Sequence, residues 1–120
     1  MQNDTLVIGS SGYLGYRVTQ LLLSHQSANR TVPTYRSTSK FSGSLFYDFY
    51  SDARLPIDPK GMTVIFGAAV EMDQPAPRLE EGMRRLLEQL GDCRFVYVSS
   101  DAVFSGKRGN YAESDEPDPV

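Results

Sequence analysis

Cysteine occurs once in these 120 residues, at Cys93, and tryptophan does not occur. A single thiol excludes an internal disulfide and any metal site built from cysteines. It also fits a reducing cytoplasm. The one histidine, His25, has no evident nucleophile or metal partner, so a helix-end or surface role is expected for it. Long apolar runs are missing. None approaches the ~20 residues of a membrane helix, and Leu6-Val7-Ile8, behind a polar start, is far shorter than a signal-peptide core. Basic residues are not in excess: 12 Lys+Arg stand against 15 Asp+Glu, a net charge of −3. Neither a nucleic acid nor a membrane is therefore an expected partner. What remains is ordinary globular composition, 40% hydrophobic and 22% charged, in a chain long enough for one core.

Hydrophobic spacing orders the chain. Thr5-Leu6-Val7-Ile8-Gly9 is a short apolar run closed by glycine and reads as a buried strand. Leu14, Val18, Leu21, Leu22 and His25 follow at helical spacing. Thr31 to Arg36 reads as a second strand, with Pro33 calling for an edge position or a bend. Ser44 to Phe49 alternates weakly, as a short third strand would, and 52–61 is loop. Met62 to Gly67 is a fourth strand. Beyond Pro75 and Pro77, Leu79, Met83, Leu86, Leu87 and Leu90 share a helix face that Gly91 is placed to end. Arg94 to Ser99 is the last strand, and 105–120 is polar. Continuous apolar strands alternating with helices predict a Rossmann-like α/β fold, a doubly wound parallel sheet of about five strands.

The turn after the first strand reads Gly9-Ser10-Ser11-Gly12-Tyr13-Leu14-Gly15. Three glycines spaced G-x-x-G-x-x-G carry little weight alone, but this triplet lies between a strand's carboxyl end and a helix N-terminus. There, free amides and the helix dipole attract a pyrophosphate. Gly9 would allow the tight turn, Gly12 the approach of phosphates, and Gly15 close helix–strand packing. A glycine-rich turn with no ligand is the plain alternative. At the end of the second strand, where an acidic residue selects NAD, the chain has Arg36-Ser37-Thr38-Ser39. A planar guanidinium with hydroxyls beside it suits the extra phosphate, so NADP is expected before NAD.

Val98-Ser99-Ser100-Asp101-Ala102-Val103-Phe104-Ser105-Gly106, followed by Tyr111, Glu113, Asp115 and Pro117, resembles the Ser-Thr-Asp-Tyr-Val-Phe-Asp-Gly segment of dTDP-4-dehydrorhamnose reductases and its acidic, proline-rich sequel. These enzymes belong to the extended short-chain dehydrogenases/reductases, which act on nucleotide sugars, and the glycine spacing is similar to theirs. The resemblance implies an NAD(P)-binding domain over 1–104, with 105–120 leading toward a catalytic helix. It makes Asp48-Phe49 the adenine-contacting position. Gly67-Ala68-Ala69 stands for the family's Asn-Ala-Ala turn, with glycine in place of asparagine. Ser99 falls beside the cofactor, and Ser100 becomes the hydroxyl that hydrogen-bonds the substrate carbonyl. The implied chemistry is hydride transfer from the nicotinamide to a keto-sugar, by a reductase or an epimerase.

The proton donor of that family is a Tyr-x-x-x-Lys pair. None of the seven tyrosines here has a lysine four residues later. The chain thus reads as a truncated cofactor-binding front half, inactive alone. A non-catalytic dinucleotide sensor and a degenerate fragment remain as alternatives. No metal is expected: Glu71, Asp73, Glu113, Asp115 and Glu116 match no ligand spacing. Cys93 reads as a small buried hydrophobe, and the aromatics of 46–50 as core and adenine-pocket wall.

Overall fold

The structure is a computed structural model and describes residues 4–25, 29–51, 54–67, 76–98 and 107–118. Five strands and two helices follow one another as β1 (Thr5–Ile8), α1 (Tyr13–Ser24), β2 (Thr31–Tyr35), β3 (Leu45–Phe46), β4 (Thr63–Phe66), α2 (Ala76–Leu90) and β5 (Arg94–Tyr97). All pairings are parallel, and the strand order is β3-β2-β1-β4-β5. The chain winds outward from β1 in one direction through α1 and in the other through α2. With right-handed crossovers the two helices take opposite faces, which makes this a Rossmann-like doubly wound α/β fold.

The parallel register places Leu6, Val32 and Val64 in one row and Ile8 and Phe66 in the next, all on the α2 face. Leu86 and Leu90 of α2 close over them, with Tyr47, Phe49 and Met62 filling the flank. Gly82 lets α2 come down on the β3–β4 loop: a Cβ there would lie 2.7 Å from the Phe49 carbonyl oxygen. Gly91, at φ 58, adopts the left-handed conformation that ends the helix.

The other face is packed differently. Val7 is fully buried, and α1 rests on β1 and β2 through Gly15 and Thr19, its only two fully buried residues. Leu14 and Leu21, on the stripe predicted to face the core, are 41% and 60% exposed. The helix is therefore rotated toward its small side chains. Gly15 brings it close to the sheet, and Thr19 resolves its own hydroxyl by donating to the Gly15 carbonyl at 2.7 Å. Next to α1, Ile65 is half-buried, and Val96 and Val98 are about two-fifths exposed.

Pro33 sits in β2, between β1 and β3, which looks contrary to its expected edge position. Strand alternation resolves this. The Thr34 carbonyl accepts from Ser10 on the β1 side, and the Tyr35 carbonyl accepts from Tyr47 on the β3 side. Pro33, two residues before Tyr35, also faces the β3 side, and β3 begins its pairing only opposite Thr34. The missing N–H thus falls where the sheet has an edge.

No helix among the described residues is long and apolar enough to cross a membrane. Residues 107–118 form turns held by an Arg108–Asp115 ion pair and by the Tyr111 hydroxyl, which accepts from the Arg108 amide at 3.1 Å. The Ala112 amide donates to the Asp115 carboxylate and, with Arg108, holds it below the usual aspartate range.

Candidate functional site

The glycine turn leaves the carboxyl end of the central strand, β1. Its neighbours carry the chain away on opposite sides, so the crevice between the ends of β1 and β4 is the switch point of the sheet. Four contacts fix the turn. Gly9 stands at φ 87, in the left-handed region. The Ser10 amide (2.9 Å) and hydroxyl (2.7 Å) both donate to the Thr34 carbonyl. The Thr34 hydroxyl donates to the Val7 carbonyl at 3.1 Å. The Gly12 amide donates to the Gly9 carbonyl at 3.2 Å. Ser10 and Thr34 are almost wholly buried, so this lock between β1 and β2 is shielded from water.

Gly12 is the N-cap of α1 and offers no side-chain cap, and no acidic residue lies in the first turn. The Tyr16 amide makes the first helical bond, to the Gly12 carbonyl at 2.9 Å. The amides of Tyr13, Leu14 and Gly15 precede it and have no acceptor of helical geometry. Ser11 is half-buried beside them, and the Tyr13 ring is 92% exposed.

The three glycines differ in why they must be glycine. Gly9 needs its left-handed backbone. A Cβ on Gly15 would lie 2.0 Å from the Gly9 carbonyl oxygen, so packing forbids one. Gly12 has φ −77 and ψ 171, open to any residue. Among the described residues a Cβ there would meet the Gly9 and Gly67 carbonyl oxygens, at 3.5 and 3.9 Å, which is ordinary contact. The packing of the described residues gives Gly12 no reason to lack a side chain. Gly67 follows β4, and its amide donates to the Ile8 carbonyl at 2.9 Å; a Cβ would touch the Gly15 Cα at 3.4 Å.

Arg36 and Ser37 are exposed just past β2. The Arg36 guanidinium carbon lies 5.3 Å from the Tyr50 ring centre. Further along, Lys40 lies over the Tyr16 ring at 5.5 Å, and Phe41 packs against that ring at 5.0 Å, which holds the post-β2 loop to α1. The Asp48 carboxylate accepts from the Tyr50 amide at 3.0 Å and thus closes its own turn. The Phe49 ring is turned into the core against Phe66, at 5.1 Å. Ala68, Ala69, Ser99 and Ser100 lie outside the described residues.

The site therefore gathers Gly9, Ser11, Gly12, Tyr13, Leu14, Gly15 and Gly67 at one crevice, with Arg36, Ser37 and Asp48 on the β2–β3 side. Sequence reasoning missed Arg78, in the first turn of α2, whose guanidinium carbon is 5.1 Å from the same Tyr50 ring. No local spacing signals it, because 28 residues separate the two. Farther down α2, Glu81 is engaged by Arg84 and Arg85, and the Arg84 hydrogen bond chiefly holds its carboxyl below the usual glutamate range. Among the described residues no group of three or more His, Cys, Asp or Glu side chains could hold a metal ion. A depression of about 350 Å³ lies between the loop before β4 and Gln89 of α2, well away from the glycine turn. The chain matches no protein-family model, no curated protein and no solved structure.

Proposed function

We propose that the chain binds a dinucleotide, NADP(H) before NAD(H), with its pyrophosphate against the 9–15 turn, as the cofactor-binding part of a nucleotide-sugar reductase or epimerase. Gly12 carries the proposal. It is the glycine of the triplet that neither backbone conformation nor packing among the described residues explains, and it stands at the helix N-terminus beside uncapped amides. A diphosphate accounts for it, because a Cβ would occupy the space that the phosphate oxygens need. The place of the turn at the sheet's switch point and the arginine at the end of β2 support the same ligand. When bound, the nicotinamide supplies hydride chemistry; these residues orient the phosphates and hold the adenosine end.

The test is a fluorescence titration with NADPH on wild type and on Gly12→Ala. Saturable binding by wild type is expected, weakened at least about tenfold in Gly12→Ala, the size of a lost charge-assisted interaction. The melting temperature should fall by no more than about 4 °C, the cost of alanine at an N-cap. Equal affinity in the two proteins, or no saturable binding by wild type, rejects the proposal.

The alternative reading of the same site is a non-catalytic dinucleotide sensor. Binding without NADPH oxidation by the full-length protein, in the presence of a nucleotide keto-sugar, would support the sensor; oxidation would support the reductase.

A further inference from the structure

Tyr50 is the meeting point of three arginines that come from two different parts of the chain. Arg36 leaves the end of β2 and lies 5.3 Å from its ring centre; Arg78, in the first turn of α2, lies 5.1 Å from the same point. Arg85 donates to the Tyr50 carbonyl at 3.3 Å and also faces Glu81 at 3.4 Å. Arg85 is thus tied to the backbone and faces a carboxylate, and Arg36 and Arg78 share the aromatic ring. Tyr50 is buried, and its ring is pinned edge-on by Phe49 at 5.2 Å, so the platform under the two guanidinium groups is rigid. Both arginines are exposed, at the end of the sheet that carries the glycine turn.

We propose that Arg78 and Arg36 together form a two-arginine clamp for the 2′-phosphate of the dinucleotide, with Tyr50 as its base; this rests on the dinucleotide proposal above. The charge match is specific. Each phosphate of a pyrophosphate bridge carries one negative charge, but a phosphate monoester carries nearly two at neutral pH. Two forked guanidinium groups match that dianion, each able to bond it through paired N–H donors. A dinucleotide without the 2′-phosphate presents only ribose hydroxyls there. Arg78 is accordingly a specificity-determining residue, and it acts from the helix after β4, not from the loop after β2.

The experiment titrates wild type, Arg78→Gln, Arg78→Lys and the control Arg84→Gln with both NADPH and NADH, and records each melting temperature. Arg84 carries the same charge on the same helix, where it pairs with Glu81 and Glu88 and not with the Tyr50 ring. Arg78→Gln is expected to weaken NADPH about ten- to a hundredfold and NADH less than about threefold, with Arg78→Lys between wild type and Arg78→Gln for NADPH. Arg84→Gln should change neither. Parallel losses for both ligands, or unchanged NADPH affinity in a folded Arg78→Gln, would overturn the clamp while the dinucleotide proposal stands. Failure of wild type to bind either ligand would overturn that proposal and the clamp with it.

Discussion

Replacing Gly15 by alanine should be among the most damaging single-methyl changes in this protein. The added carbon would stand 2.0 Å from the Gly9 carbonyl oxygen, 2.8 Å from the Gly9 carbonyl carbon and 3.3 Å from the Ser10 Cα. All three are backbone atoms of a turn locked to β2 through Thr34, so no flexible side chain can yield. Relief requires moving α1 off the sheet or opening the lock. Overpacking typically costs 1–3 kcal/mol, occasionally more, and a backbone collision on this scale belongs at the upper end, about 3–4 kcal/mol. Alanine's better helix propensity returns about 1 kcal/mol. The net loss is roughly 2–3 kcal/mol, out of the ~5–15 kcal/mol that hold a domain of this kind. At about 4 °C per kcal/mol, the midpoint should fall by roughly 10 °C. Thermal unfolding followed by circular dichroism measures it, with Gly12→Ala as the internal control, losing no more than about 4 °C as alanine at an N-cap does. A Gly15→Ala protein that melts with wild type would refute the close-packed account of the turn, and with it the distinction between the two glycines.

Two further outcomes follow from the core. Leu86 is fully buried under α2, so Leu86→Ala should cost about 3 kcal/mol by urea unfolding, while Leu87→Ala, 46% exposed, should cost less than about 1 kcal/mol. Burial raises the Tyr47 hydroxyl above its ordinary value, outweighing the Arg85 charge that lowers it. Its contribution to stability is complete below the unfolded value near ~10 and is lost as pH rises toward the folded one. A Tyr47→Phe protein should show a shallower stability loss above about pH 10 than wild type; equal slopes would show that Tyr47 has no part in it.

The order of elements was legible because burial on both faces leaves a plain mark, short apolar runs ended by glycine at Gly9 and Gly67 and a five-residue stripe on α2. The glycine turn was legible for the same reason: its spacing and its place between strand and helix are local. Contacts between distant segments were not. The hydrophobic stripe of α1 predicted a buried Leu14 and Leu21, but the sheet accepts Gly15 and Thr19, because closeness through glycine outweighs apolar area there. Pro33 was readable as an edge residue, but not that the edge ends one residue later, at Thr34. Asp48, the adenine-contacting position by resemblance, also closes its own turn, accepting from the Tyr50 amide at 3.0 Å, which its spacing did not signal. The convergence of Arg36 and Arg78 on Tyr50 needs three segments to fold together, and no window of sequence contains all three.

The most direct test of the central claim is to follow backbone amide signals by nitrogen–proton NMR while NADPH is added. A diphosphate seated on the turn should shift the amides of Ser11, Gly12, Tyr13, Leu14 and Gly15 first and most, and Gly12→Ala should abolish those shifts. Unmoved amides across 9–15 at saturating NADPH, or shifts confined to the depression beside Gln89, would contradict it.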